Sequence, residues 1–173
     1  VWISYNWLTV SYFTVTSSKI SEPFRMVLIS DLHDHRFGRN NEKLAEKIQE
    51  QSPDLIIIDG DMINDDSENA DTAVEVVRAL KEIAPVYYSY GNHEYAYMEA
   101  GHTDLQNELE EAGATVLNYQ SIDLEVKGNP IRLGGLYEYG FETGMQSEEE
   151  NQRALSYLCL LYTSPSPRDS TSS

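Results

Sequence analysis

Three short apolar segments of the sequence are each followed by side chains that can bind a metal ion. The segments cover residues 26–30, 55–59 and 86–90, and the side chains that follow them are Asp31 and His33, then Asp61, then Asn92 and His93. Carboxylate oxygen, imidazole nitrogen and amide oxygen are all ligands of divalent transition metals. Because the carboxyl ends of parallel strands collect ligands at one edge of a sheet, the three sets are expected to meet there.

Each of these residues has a chemical role that its type allows. The two-residue repeat of a strand would point Asp31 and His33 toward the same ion. The two carboxylate oxygens of Asp61 can bridge a pair of ions about 4 Å apart, and the amide oxygen of Asn92 can bind the second ion. His93 is then expected to face the substrate, where an imidazole can protonate a leaving alkoxide near neutral pH. The pattern therefore predicts a two-metal site that hydrolyses phosphate esters.

The apolar periodicity predicts an α/β fold that positions these side chains. Strands are predicted at residues 8–15, 26–30, 55–59, 86–90, 115–117, 122–126 and 131–136, helices at residues 41–51, 71–83 and 103–113, and a turn at residues 128–130. Capping boxes are predicted from Thr72 with Glu75 and from Thr103 with Gln106. Since helices separate the first buried strands, these strands are expected to pair in parallel within a central mixed sheet.

Taken singly, each motif also has an ordinary structural explanation. Asp and His at the end of a strand often cap a helix, and Gly-Asp is common in turns. Asp34 is interpreted as a solvated loop residue, with a role beside the metal or substrate as the alternative. Asp65 and Asp66 are interpreted as acids at the start of a helix. Glu94 is interpreted either as a residue behind the metal ligands or as a loop residue, and not as a ligand. The order of the motifs, each after a strand, favours the metal site.

The motifs resemble those that open the calcineurin-like metallophosphoesterase superfamily, in its bacterial branch of predicted phosphohydrolases. The family motifs are Asp-x-His, Gly-Asp and Gly-Asn-His-Asp/Glu, which are matched by Asp31 with His33, by Gly60 with Asp61, and by residues 91–94. The resemblance covers about residues 24–139. It implies an α/β/β/α sandwich, of which the C-terminal part is missing here.

The resemblance also implies a role for each matched residue. Asp31 and His33 would bind the first ion, Asp61 would bridge, and Asn92 would bind the second ion. His93 would contact the phosphate and assist the leaving group. The reaction implied is hydrolysis of a phosphate mono- or diester with two divalent cations, for which manganese, iron and zinc all suit the ligands. A small-molecule phosphate ester or a lipid-linked substrate is expected.

The sequence departs from the family pattern in its second half. The family adds a later metal-binding His and a Gly-His-x-His motif, and neither occurs after Tyr139. His102 lies in a sequence that superficially resembles the latter motif, but it is interpreted as an exposed residue at a helix start. Residues 1–156 are therefore expected to be a partial metallophosphoesterase domain, impaired by itself.

The sequence leads to a different expectation for each end of the chain. Residues 159–169 resemble the conceptual translation of a transposase sequencing adapter, so residues 157–173 are expected to be a non-native disordered tail. The chain begins at Val1 in the middle of an apolar pattern, and a membrane anchor or an export signal could precede it. Localisation therefore stays open between cytoplasmic, membrane-associated and extracytoplasmic, and the oligomeric state stays open as well.

Composition excludes some classes of function and leaves two alternatives. With 29 acidic residues against 12 basic ones and a net charge of −17, binding to nucleic acid is disfavoured. The single cysteine, Cys159, excludes an internal disulfide. A non-catalytic scaffold module with the same fold stays open. A doubly wound nucleotide-binding protein is disfavoured, because Asp-Leu-His follows the first strand in place of a glycine-rich loop.

Overall fold

The structure is a computed structural model that describes residues 8–136 of the chain. In chain order its elements are β1 (Met26–Ile29), a 3₁₀ turn (Arg39–Asn41), α1 (Glu42–Gln49), β2 (Leu55–Asp59), α2 (Asp71–Leu80), β3 (Val86–Ser89), α3 (Asn92–Glu99), α4 (Leu105–Ala112), β4 (Ala114–Val116), β5 (Gln120–Val126) and β6 (Asn129–Gly135). The α/β class predicted from the sequence is confirmed, and the arrangement is consistent with a metallophosphoesterase-type fold. The tail predicted for residues 157–173 and the wider domain bounds lie outside the described residues.

Four strands form one sheet in the order β1-β2-β3-β4, and every pair in it is parallel. The register places Ile57 opposite Leu28 on one side and opposite Tyr87 on the other. The antiparallel strands β5 and β6 pair separately, so in residues 8–136 the sheet predicted as mixed is a parallel sheet beside a hairpin. Parallel pairing brings the carboxyl ends of β1, β2 and β3 to one edge.

Alternate residues of the parallel strands face the helices and hold this edge in place. The side chains of Ile56, Ile58 and Tyr88 are fully buried. They belong to one core with residues of the three amphipathic helices, namely Leu44, Ile48, Ala73, Val76, Val77, Leu80, Leu105, Leu109 and Ala112. Burial of a large aliphatic side chain is worth about 1.5–3 kcal/mol, so the core fixes the strands that carry the polar loops. On the opposite face Met26 and Leu28 remain exposed.

The hairpin follows local backbone preferences closely. Residues 127 and 128 connect β5 to β6, with φ of 49° at Lys127 and 75° at Gly128. Positive φ at both connecting residues is the type I′ geometry, whose twist matches that of antiparallel strands. The turn predicted at residues 128–130 therefore lies slightly earlier, and Pro130 is part of β6.

Three sequence predictions about local structure are wrong. Residues 8–15 form no strand, because their backbone has no strand partner among residues 8–136; Phe13 and Val15 are 89% and 92% exposed. Neither capping box forms: α2 begins after Ala70 and α4 after Asp104, each without a side-chain cap. By contrast, the predicted helix end at Gly113 is confirmed, since its φ of 112° is left-handed.

One helix was not predicted at all. The third helix, α3, begins directly after Gly91 and carries Asn92 and His93 in its first turn. None of the helices between residues 8 and 136 has both the length and the apolar character to cross a bilayer.

Candidate metal centre

The loops after β1 and β2 run side by side and continue the pairing of the strands. The backbone N–H groups of Asp31, His33 and Asp34 donate to the carbonyl oxygens of Gly60, Asp61 and Met62, at 3.3, 3.0 and 3.0 Å respectively. These bonds fix the two loops against each other at the edge of the sheet.

The backbone of these loops is left-handed at several polar residues. Asp31, His33 and Asp61 have φ of 57°, 48° and 54°. The predicted reason for the convergence of Asp31 and His33, the two-residue repeat of a strand, is therefore wrong, since β1 ends at Ile29. Asp and His enter the left-handed region more readily than most residues with a side chain. The positions of the Asp31 and His33 side chains follow instead from the left-handed backbone at these two residues.

The side chains of Asp31, His33 and Asp61 nevertheless converge, as predicted. One ligand atom from each lies within 4.8 Å of the other two. The Nε2 atom of His33 lies 3.9 Å from Oδ1 of Asp31. Oxygen and nitrogen ligands bind zinc at about 2.0–2.2 Å, so two ligands of one ion lie up to about 4 Å apart. The donor set and its spacing therefore fit one divalent cation after a small adjustment of the side chains.

His93 approaches the same group of residues from the first turn of α3. Its ring centre lies 4.6 Å from that of His33, edge to face. Its backbone N–H donates to Oδ1 of Asp61 at 3.0 Å. The structure therefore brings His93 to the group formed by Asp31, His33 and Asp61, and its predicted role toward the substrate stays a prediction.

The ring of His93 is oriented by the loop after β2. Its Nδ1 atom accepts a hydrogen bond from the backbone N–H of Asp65 at 3.1 Å. An accepting Nδ1 requires the neutral imidazole to carry its proton on Nε2. The carboxylate of Asp65 lies 3.5 Å from the same Nδ1 atom. Asp65 thus contacts His93 in a turn before α2, and its predicted place at a helix start is wrong.

Asn92 stands between Gly91 and His93 as the first residue of α3. This position puts its backbone beside the group formed by Asp61 and His93. No ligand distance is established for its amide oxygen, so its role at a second ion stays a prediction.

Two glycines allow the loops after β2 and β3 to touch. A Cβ atom on Gly60 would lie 2.1 Å from the backbone nitrogen of Gly91, and one on Gly91 would lie 2.3 Å from Oδ1 of Asp61. No side chain fits in either place. Glycine is therefore required by packing at positions 60 and 91.

Comparison with known proteins agrees with this geometry. Residues 24–161 match the family model of the calcineurin-like phosphoesterases. The chain belongs to this family. The metallophosphoesterase YkoQ of Bacillus subtilis is 29% identical over 64% of the chain and 42% of its own length. The phosphodiesterase YaeI of Escherichia coli is 32% identical over 65% of the chain and 43% of its own length.

A metallophosphoesterase of Helicobacter pylori is 23% identical over 70% of the chain and 31% of its own length. The chain thus spans less than half the length of each of these relatives. Members of the phosphoesterase family generally use divalent cations, which agrees with the Asp31, His33 and Asp61 group.

Sequence reasoning placed Glu94 either behind the metal ligands or in a loop. The loop is excluded, because Glu94 lies in the first turn of α3 with its side chain fully buried; the contacts of its carboxylate were not predicted. It occupies the third position of α3, and its carboxylate accepts the backbone N–H of Gly91 at 2.9 Å. A Glu three residues after a helix-capping position is a recognised sequence signal. The helix itself was not predicted, so this signal went unread.

Other residues near the motifs stabilise the loops. The carboxylate of Asp34 accepts hydrogen bonds from the backbone N–H of Asn64 at 3.0 Å and from the hydroxyl of Ser67. Its interpretation as a solvated loop residue is therefore wrong. His102 is half-buried and stacks on Tyr97 with ring centres 4.0 Å apart, so it is less exposed than predicted.

The electrostatics of the site are dominated by acids. Asp31, Asp61 and Asp65 lie within it. The nearby Arg36, in the loop after β1, donates a hydrogen bond from Nε to the carboxylate of Glu75 at 2.9 Å. That hydrogen bond raises the pKa of Arg36. Burial, followed by the nearby Glu94 carboxylate, raises the pKa of Tyr88 well above its usual range. A cluster of carboxylates of this kind attracts cations.

Proposed function

We propose that this chain is part of a metal-dependent phosphoesterase whose centre binds two divalent cations. The observation that carries the proposal is the convergence of Asp31, His33 and Asp61 within 4.8 Å, together with the His93 ring 4.6 Å from that of His33. Family membership supports phosphate esters as the substrate class.

In this proposal Asp31, His33 and Asp61 bind the first ion. The Asp61 carboxylate also bridges to the second ion, which Asn92 binds. Two such ions, when bound, clamp a phosphate and lower the pKa of a bridging water. The later His and the Gly-His-x-His motif that the family resemblance implies do not occur after Tyr139, so we propose that the chain by itself binds the cations weakly.

His93 would act on the leaving group. As a general acid His93 would be the imidazolium, in which Nδ1 is protonated and faces the Asp65 carboxylate 3.5 Å away in place of accepting the Asp65 N–H. Its Nε2–H would then pass to the leaving alkoxide and leave a neutral imidazole. The backbone bond from His93 to Asp61 holds this proton donor at a fixed place relative to the bridging carboxylate. A general acid placed in this way contributes about 10²- to 10⁴-fold to the rate.

The substrate proposal has two branches. One curated relative is named a phosphodiesterase, which supports a diester as the first substrate to test. A lipid-linked phosphate ester is the second branch, in which the parent protein would carry a membrane anchor before Val1.

Cation binding is the first test of this function. Titration of the chain with Mn²⁺ by calorimetry should show binding, and Asp61→Ala should weaken it by about 100-fold or more, because even the outer partners of metal ligands are worth about 10- to 100-fold. Asp123→Ala, which removes the same charge from the exposed face of β5, should bind as wild type does. Absence of Mn²⁺ binding both in the wild-type chain and in its longer parent protein would remove the metal assignment.

Turnover is the second test. The chain and its longer parent protein would be assayed with Mn²⁺ on bis(p-nitrophenyl) phosphate and on p-nitrophenyl phosphate, which separates diester from monoester preference. His93→Ala should lower kcat of the parent by about 10²-fold or more. Undiminished turnover in His93→Ala contradicts the assigned role. Cation binding without turnover of either ester by the parent favours the scaffold alternative.

A further inference from the structure

The buried carboxylate of Glu94 accepts four hydrogen bonds. Its Oε2 atom accepts the backbone N–H groups of Asp61 at 2.8 Å and Gly91 at 2.9 Å. Its Oε1 atom accepts the backbone N–H of Met62 at 2.9 Å and the hydroxyl of Tyr88 at 2.8 Å. Each oxygen thus receives two donors, which fills the acceptor capacity of a carboxylate.

Capping of α3 explains only one of these four bonds. A Glu at the third helical position normally reaches back to the N–H that precedes the helix, which here belongs to Gly91. The N–H groups of Asp61 and Met62 lie on a different loop, about thirty residues earlier. The carboxylate therefore joins the loop after β2, which carries the bridging carboxylate of the proposed reaction, to the start of α3, which carries its proton donor.

The contacts form a closed ring through the site. The backbone of Asp61 donates to Glu94, and the side chain of Asp61 accepts from the backbone N–H of His93 at 3.0 Å. His93 and Glu94 are neighbours on α3. A displacement of Asp61 therefore strains two hydrogen bonds at once, one to each of these neighbours.

We infer that Glu94 is a positioning residue, which fixes the Asp61 carboxylate relative to His93 for cation binding; its consequence for cations rests on the proposed function. Glu94 touches neither substrate nor cation in this role. It acts through the backbone of Asp61, and its full burial keeps water from competing for the same N–H groups.

A glutamine at this position tests the role with almost no change of shape. An amide offers one accepting oxygen, and its NH₂ group must face either the Asp61 and Gly91 pair or the Met62 and Tyr88 pair. The Tyr88 hydroxyl can rotate and accept from the amide, whereas a backbone N–H cannot. At least one backbone N–H, that of Met62, therefore loses its buried acceptor.

The experiment compares Glu94→Gln with Glu99→Gln, which removes the same charge from the exposed end of the same helix. In Glu94→Gln, amide hydrogen exchange without metal should be faster at Met62 and its neighbour Asp61, and unchanged in β5 and β6. The Mn²⁺ affinity should fall about 10-fold, the low end of the effect of removing a residue that orients a metal ligand. Glu99→Gln should leave both measurements within about 2-fold of wild type, since it makes none of the four bonds.

A different result is expected if Glu94 only stabilises the fold and does not position Asp61. If Glu94→Gln lowers the unfolding midpoint but leaves the Mn²⁺ affinity of the folded protein and the exchange at Asp61 unchanged, the inference is overturned. If Glu94→Gln does not fold, Tyr88→Phe decides the question, because it removes one of the four donors and keeps the ring. Faster exchange at Met62 with weaker Mn²⁺ binding then supports the inference, and no change in either overturns it.

Failure of the proposed function would be recognised separately. If the wild-type chain binds no Mn²⁺, the positioning role is judged on hydrogen exchange alone, and absence of binding in the longer parent protein as well removes the metal assignment. Faster exchange confined to the loops after β2 and β3 in Glu94→Gln supports it. Unchanged exchange, or a loss of protection throughout the chain, overturns it.

Discussion

The edge of the parallel sheet and the β5–β6 hairpin both contain residues with left-handed backbone, but different contacts stabilise these residues in the two regions. At the edge, Asp31, His33 and Asp61 adopt left-handed conformations that their side chains disfavour. These bends are held by hydrogen bonds between loops far apart in the sequence. In the hairpin, the left-handed pair Lys127 and Gly128 forms a two-residue turn whose geometry suits the strands that it connects.

The difference shows where precision is required in this molecule. The loops at the edge of the parallel sheet are held by hydrogen bonds between residues far apart in the sequence. Their geometry is therefore sensitive to substitution of the few residues that make or permit these contacts. The hairpin depends mostly on neighbours in sequence and is attached to the rest of the protein at a few points. Substitutions in the two regions should therefore have unequal effects.

The largest effect is expected from a matched pair of glycine substitutions. Gly60 and Gly128 have similar φ, 69° and 75°, but a Cβ atom would overlap the Gly91 backbone at the first position and meet open space at the second. Gly128→Ala should cost about 1 kcal/mol of unfolding free energy, which is the penalty of the left-handed conformation. Gly60→Ala should cost about 4 kcal/mol or more, because backbone must move as well. Urea unfolding measures both, and equal costs would remove the proposed difference between the regions.

The next effect concerns the attachment of the hairpin. Asn129 is fully buried, and its amide accepts the N–H of Ser21 at 2.8 Å and donates to the carbonyl oxygens of Glu22 at 2.8 Å and Val126 at 2.9 Å. Asn129→Ala leaves these buried groups without partners and should cost about 2–3 kcal/mol.

The measurement is thermal or urea unfolding, with Asn107→Ala as the control. Asn107 is exposed on α4, so its substitution should change the unfolding free energy by less than about 0.5 kcal/mol. A loss of similar size in the two variants would show that the hairpin is not anchored through Asn129.

The smallest effect is a pH dependence at the opposite end of the sheet. The pKa of Asp54 is held below its usual value by two contacts of its carboxylate. The larger cause is the hydrogen bond from the backbone N–H of Arg25 at 2.7 Å, and the second is the Lys127 ammonium group at 2.9 Å. Because the folded pKa is the lower one, the stabilisation is complete above the unfolded pKa of about 3.9. It is lost as the pH falls through the folded pKa.

The measurement is the difference in unfolding free energy between wild type and Asp54→Asn. It should be constant between about pH 5 and 7 and should shrink as the pH falls below about 4. Lys127→Ala, which keeps the Arg25 bond, should show a smaller difference from wild type. A difference that does not change down to pH 2 would contradict the assigned cause.

The sequence predicted the parallel strands and the meeting of the three motifs because both depend on local patterns. The apolar runs that became β1, β2 and β3 mark buried strands, and parallel strands bring their carboxyl ends together. Gly113 is another local signal that was read correctly, since a glycine after an amphipathic helix favours a left-handed end.

What the sequence did not predict depends on distant contacts. Helix α3 has no apolar stripe, because its inner side carries Glu94 and Tyr97 in place of aliphatic residues. The left-handed bends at Asp31 and His33 follow from bonding to the loop after β2, which no local pattern records. The strand expected at residues 8–15 needed a partner strand, and alternation of apolar residues does not supply one.

The backbone bonds between the first two loops also bear on how fast an ion is captured. Because Asp31, His33 and Asp61 are already held together by these bonds, ion entry would require little rearrangement of the chain. Preorganised sites save the entropy of ordering at the moment of binding. We therefore expect variants that loosen these loops to capture ions more slowly than the wild type, because the loops would have to be ordered during binding.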